Sequence, residues 1–259
     1  MLLAWRVFML FKFLLQLTDK ERTRRSNLQF GGILAFVAGA INAGGFLAVQ
    51  RYTSHMTGIV SSVADDLVVG SIALALAGVV SLAAFIGGAI TTTLIISWAR
   101  RHALRSKYAL ALLLEAALLL VFGLVGANLK SLASLLVPTA VLLLCFIMGL
   151  QNAIVTKISQ AEIRTTHMTG VITDLGIELG RLIYWNHSKK ANHIQFVKAD
   201  TDKLFIYATL LGLFFAGGIA GALAFKAMGF SATLPITLLL VAMALPAIAL
   251  DLRNAAKSP

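Results

Sequence analysis

The sequence predicts an all-α polytopic membrane protein built as two inverted repeats, each of three transmembrane helices plus one re-entrant half-helix. Three observations carry this: apolar runs long enough to cross a bilayer, motifs spelt twice in the same order, and basic residues gathered on one side of the implied topology. The first rests on composition. The 259 residues are 59% hydrophobic and 13% charged, whereas a water-soluble domain carries about a quarter charged residues. The stretches 29–50, 72–99, 107–129, 132–156, 204–228 and 231–251 match the ~20 helical residues that a bilayer core requires. Two others, 55–68 and 167–180, contain acids (Asp65 and Asp66; Asp174 and Glu178) and are too short and too polar for ordinary spans.

Both short stretches open on His-Met-Thr-Gly, within TSHMTGIV (53–60) and TTHMTGVI (165–172). Upstream, FVAGAINA (36–43) matches FIMGLQNA (146–153); downstream, FIGGAI (85–90) matches FAGGIA (215–220). Three ordered matches mark two copies of one unit. The expected organisation is a cytoplasmic interfacial segment 1–27, repeat 1 over 28–129, repeat 2 over 132–251 and a cytoplasmic tail 252–259, the repeats forming one bundle. The opening MLLAWRVFMLFKFLLQL carries Arg6 and Lys12 within its apolar run and lacks a small-residue cleavage site, so it reads as a helix lying on the membrane surface, not as a secretory signal.

Charge sets the topology. If the N-terminus is inside and both short elements turn back, six Lys/Arg before residue 28, four at 100–107, seven at 157–203 and two in the tail face the cytoplasm, against Arg51, Lys130 and Lys226 outside. Letting both short elements cross would strand the cluster ARRHALRSK (99–107) outside, against the positive-inside rule. Three spans per unit is odd, so the second unit is inverted. The formal net charge of +11 belongs to these loops and gives no reason to invoke nucleic acid. Cys145 stands alone in an apolar run, and no Cys/His spacing suggests a metal.

From His55 to Asp65 is about 15 Å of helix, half of a hydrocarbon core of about 30 Å, which puts each His-Met-Thr-Gly near mid-membrane. Irregular backbone there must be buried in protein or line a wet cavity. A half-helix start offers unpaired N–H groups and partial positive charge, suited to an anion or polar solute, and the Ser or Thr before each His is placed to cap it. The candidate substrate-binding residues are His55, Thr57, Gly58, His167, Thr169, Gly170, Asn42 and Asn152. The imidazoles can hydrogen-bond solute or only a neighbouring helix; the Thr-Gly pairs can line a path or only pack. Gly87-Gly88 and Gly217-Gly218 are expected to let spans pack closely around the half-helices or to act as hinges. Glu115, in ALLLEAALLL, is a candidate proton or ion site; about 12 Å from the cytoplasmic end, it could instead snorkel or pair with a basic neighbour. Asp65, Asp66, Glu178 and Arg181 read as solvated half-helix ends. No catalytic motif and no cofactor signature is found.

GLQNA (149–153) followed by RTTHMTGVITDLG (164–176), with the matching first-half motifs, resembles the YoaK-type family of bacterial inner-membrane proteins over about residues 18 to 251. That family is a domain of unknown function, so the resemblance implies a fold and a bacterial inner-membrane address, multi-pass, without a substrate. Asn42 stands where an Asp is common in the family and Ile59 where an Asn often follows Thr-Gly; an amide at 42 does not titrate.

The function expected is a membrane transporter or channel-like permease, not an enzyme, for a small polar or anionic solute, with one central site where the two half-helix N-termini meet, working by one unit rocking against the other or as a fixed pore. The alternatives are a membrane-embedded enzyme acting on a lipid-linked substrate and a non-transporting scaffold. The bilayer is the partner that composition implies; a homo-oligomer is compatible with it.

Overall fold

The computed structural model describes residues 9, 14–15, 23–49, 52–129, 133–159, 167–184 and 197–256. Most of the segment 1–27, residues 164–166 of the second motif and the basic stretch 185–196 lie outside them. The described residues form helices α1 (Arg24–Val49), α2 (Met56–Val69), α3 (Ile72–Arg101), α4 (Ala109–Ala127), α5 (Ala133–Ile158), α6 (Met168–Ile183), α7 (Thr201–Met228) and α8 (Thr233–Ala255), with a 3₁₀ turn at Gly229–Ala232 between the last two. Five stretches are long and apolar enough to cross a membrane; the last, Thr201–Ala255, contains both α7 and α8. The chain is therefore all-helical with the character of a multi-pass membrane protein, and helix ends fall within a few residues of those read from hydropathy.

Four helix pairs build the bundle, and their directions follow from named contacts. Helices α1 and α7 run parallel: Arg24 meets Asp202 at 3.2 Å at one end, Phe36 and Gly39 meet Phe214 and Gly217 in the middle, and Gly44 meets Phe225 at the other end. Helices α3 and α5 are also parallel: Ala77 and Ser81 line one space with Val137 and Val141, Gly88 lies against Phe146 and Gly149 against Phe85, and further along the Thr92 hydroxyl donates to the Leu150 carbonyl at 3.0 Å. Helices α1 and α5 are antiparallel: Gln151 Nε2 donates to the Leu34 carbonyl at 3.1 Å, while Gly45 lies against Leu144. Helices α4 and α8 are antiparallel too. Gly123 faces Thr233, and at the far end the Asp251 carboxylate accepts from the backbone N–H groups of Arg105 and Ser106 at 3.1 and 2.8 Å.

The two parallel pairs share one device. Phe36-x-x-Gly39 on α1 crosses Phe214-x-x-Gly217 on α7, and Phe85-x-x-Gly88 on α3 crosses Phe146-x-x-Gly149 on α5. At each glycine, a Cβ would collide with the carbonyl oxygen of the Phe on the opposite helix. Without a side chain the backbones touch, giving close van der Waals packing where lipid removes the hydrophobic drive between helices. The glycine pairs thus serve α1–α7 and α3–α5, not the short helices as expected. The register also differs from the sequence match: Gly88 plays the part of Gly217, not of Gly218, which a Cβ would leave with ordinary contacts.

The short helices lie on the outside of these pairs. Helix α2 has 14 residues, about 21 Å, and folds back along the 30-residue α3 through a turn whose Gly70 has φ +81°; Val63 and Ile59 then lie over Gly78. Its first residue therefore sits about halfway along α3. Helix α6, 16 residues, packs on α7 in the same manner. Glu178 near its end accepts from the Asp200 N–H at the start of α7, at 2.8 Å, so the first turn of α6 lies partway along α7.

Asp200 caps α7, Oδ1 accepting from Asp202 N and Lys203 N at 3.1 Å each. The hydrogen bond from the Lys203 backbone, the Lys203 and Arg24 charges and the Asp202 N–H hold its carboxyl below the usual aspartate value. A depressed pKa contributes stability above the unfolded value, lost as pH falls through the folded one. Melting of the purified protein should thus decline in acid below about pH 4, and Asp200→Asn, which keeps the cap oxygen, should flatten that part of the pH profile.

Candidate functional site

Each His-Met-Thr-Gly forms the start of a short helix, and in both the His itself is the N-cap. His55 has φ −91° and ψ 70°, His167 φ −79° and ψ 54°, and neither helix has a side-chain cap hydrogen bond. Capping by the preceding hydroxyl, expected from sequence, does not occur at the first motif. Ser54 instead donates to Asn42 Oδ1 at 2.8 Å, tying the turn before α2 to the last third of α1. The stacked rings of Phe46 and Tyr52, 4.5 Å apart, close the same turn, and Thr53 is buried. Asn42 and the first motif are thus brought together as one unit.

Exposure repeats between the two starts. His55 and Thr57 are exposed while Met56 and Gly58 are half-buried; His167 and Thr169 are exposed while Met168 and Gly170 are half-buried. Ser61 and Thr173, one turn further along, are exposed as well, the latter returning its hydroxyl to the Thr169 carbonyl at 2.8 Å. The glycines differ. A Cβ on Gly58 would meet the His55 ring, which folds back over it, whereas Gly170 has open space.

The second-half amide is placed differently from the first. Asn152 is buried, its Nδ2 donating to the Met148 carbonyl at 2.9 Å. Its neighbour Gln151, which sequence reasoning passed over, makes the cross-link to α1; a polar pair inside an apolar run was the signal available. Among the described residues α2 packs on α3 and α6 on α7, and the two short helices are not packed on one another.

The acids divide. Asp65 is exposed, as expected of a helix end. Glu178 is not solvated: only 4% exposed, it also accepts from Arg181 at 2.7 Å. Glu115 neither snorkels nor pairs. It is fully buried, and both carboxylate oxygens lack a hydrogen-bond partner among the described residues. Among the described residues no three His, Cys, Asp or Glu side chains come together as metal ligands.

A family model described as a protein of unknown function (DUF1275) matches residues 30–245. The chain belongs to the DUF1275 family. The match starts inside α1 and ends inside α8, so both His-Met-Thr-Gly starts, Asn42, Asn152 and Glu115 all fall within the DUF1275 region. No curated protein and no solved structure matches the chain.

Proposed function

We propose that this DUF1275 protein is a transporter or channel-like permease for a small polar or anionic solute, with its site at the starts of the two short helices. The observation that carries the reading is the repeated exposure of His55 and Thr57, and of His167 and Thr169, at helix starts set partway along membrane-length helices. Hydrocarbon cannot satisfy such groups; water or a hydrogen-bonding solute can. The starting turns add free N–H groups and a partial positive charge.

The inverted-repeat architecture belongs to this proposal. Exchanging α1 with α5, α2 with α6, α3 with α7 and α4 with α8 converts the α1–α7 pair into α5–α3 and the α2–α3 pair into α6–α7, leaving α1–α5 and α4–α8 in place. Because α1 and α5 are antiparallel, the exchange turns one half upside down, and α2 and α6 become half-helices entering from opposite faces. The basic loops then put both termini in the cytoplasm, and the motifs GLQNA and TTHMTG support a YoaK-type identity in a bacterial inner membrane. The Phe-x-x-Gly crossings lock α1 to α7 and α3 to α5, so the bodies that move are α1–α6–α7 and α2–α3–α5, each drawn from both repeats.

The test is uptake into proteoliposomes of a panel containing chloride, phosphate, alanine and glycerol. His55→Ala and His167→Ala should each lower uptake of the transported solute about 10- to 100-fold, the worth of one hydrogen bond to a charged or strongly polar group. His55 is exposed, so melting of His55→Ala should stay near the wild-type value. Uptake unchanged in both variants would overturn the proposal.

A further inference from the structure

Glu115 is the one charged residue of α4, in a stretch, Ala109–Ala127, that is otherwise apolar. It shares a buried face with Leu112, Ala116 and Leu119, and α4 packs on α3, α5 and α8. The residue is 0% exposed and, among the described residues, neither carboxylate oxygen has a partner. The titratable and charged groups on the elements around it are Arg100 and Arg101 of α3, Cys145 and Lys157 of α5, and Asp251 and Arg253 of α8. All but Cys145 stand near helix ends, and Asp251 is taken up by the Arg105 and Ser106 N–H groups.

What such a carboxyl can bind is limited by its surroundings. The other buried side-chain oxygens without partners, among the described residues, are Thr237 Oγ1 and Gln151 Oε1. Since Gly123 faces Thr233, Thr237 lies about one turn from that contact and Glu115 about two, leaving roughly 6 Å between them along the axis. A hard metal cation gathers roughly six oxygens at about 2–2.6 Å, and this set does not supply them. A proton needs one oxygen. A carboxyl kept in an apolar core without a partner also packs less well than a leucine would, which makes a purely structural role a poor account of it.

We propose that Glu115 is an exchangeable proton-binding site, and that solute passage is coupled to its proton; the coupling rests on the transport reading above. On release the carboxyl O–H bond breaks, its electron pair stays on the carboxylate, and the proton passes to a water molecule admitted as the α4–α8 packing loosens. Helix α4 also packs on α5, which carries Asn152, so a charge appearing at Glu115 acts on the helix that holds this candidate amide.

Two measurements test this on the full chain in lipid. Infrared spectra at neutral pH should contain a protonated-carboxyl C=O band that is lost in Glu115→Gln and displaced in Glu115→Asp. Identical bands in wild type and Glu115→Gln would overturn the proton site. In proteoliposomes, an inward proton gradient of one pH unit should raise wild-type accumulation of the panel's transported solute up to about tenfold for one proton per solute, and that ratio should fall to one in Glu115→Gln. A ratio of one in wild type overturns the coupling while transport stands. Absence of uptake of every solute, with the infrared band present, overturns the transport reading and the coupling while supporting the proton site.

Discussion

Gly149→Ala lowers the stability of the purified protein by about 1–3 kcal/mol, the range for forcing an extra carbon into a packed interface. The reason is what the new Cβ meets. It would fall on the carbonyl oxygen of Phe85, part of the α3 backbone, and no side chain can swing aside to admit it; α3 and α5 must separate. Gly39→Ala should behave alike, because its Cβ would meet the Phe214 carbonyl on α7. Gly170→Ala and Gly212→Ala are the controls: both sites are open, and alanine is favoured over glycine in a helix, so both should melt at or slightly above wild type. Thermal unfolding in detergent reads all four. A Gly149→Ala protein as stable as Gly170→Ala would refute the backbone contact between α3 and α5.

Glu178→Ala is expected to cost about 2–3 kcal/mol, in the upper range for losing a hydrogen bond to a charged group and stranding its donor. Glu178 is buried and engages both Arg181 Nη1 and the backbone N–H of Asp200. The second bond joins the end of α6 to the start of α7 and is the reason the truncation is expensive. Arg181→Ala makes the comparison. The Arg181 side chain is 47% exposed, and pairs of that kind contribute about 0–1 kcal/mol. Equal losses in the two variants would mean that the ion pair, and not the link to Asp200, does the holding.

Helix existence was legible because it depends on composition along the chain. Apolar runs announced the long helices, and the acids at 65, 66, 174 and 178 with a repeated motif announced the short ones. Partnership was not legible, because lipid-facing and helix-facing surfaces are both apolar. FIGGAI and FAGGIA align most simply on their Gly-Gly pairs, yet the contact recurs at a Phe-x-x-Gly spacing that joins Gly88 to Gly217, one residue off the literal match. Glu178 read as solvated because its partner is a backbone N–H 22 residues away, which side-chain chemistry cannot advertise. The tie between Ser54 and Asn42 was missed for a related reason. A hydroxyl before a helix suggests a cap by local rules, and only the proximity of α1 offered it a better acceptor. At the candidate site the structure turns out His55, Thr57, His167 and Thr169 but buries Asn152, and the repeated motif did not foretell the difference between Gly58, covered by the His55 ring, and Gly170, which is open.

The parallel pairs also bear on how the chain is made. Helix α1 is synthesised first, but its Phe36–Gly39 surface is complementary to Phe214–Gly217, which leaves the ribosome long afterwards; α3 likewise waits for α5. Until then those notched faces lie against lipid or the insertion machinery, with no native neighbour to fill them. Shortening the chain before residue 214 should therefore leave α1 without its mate and expose the nascent protein to membrane quality control. Expressing residues 1–130 and 131–259 as separate polypeptides in the same cell should restore assembly.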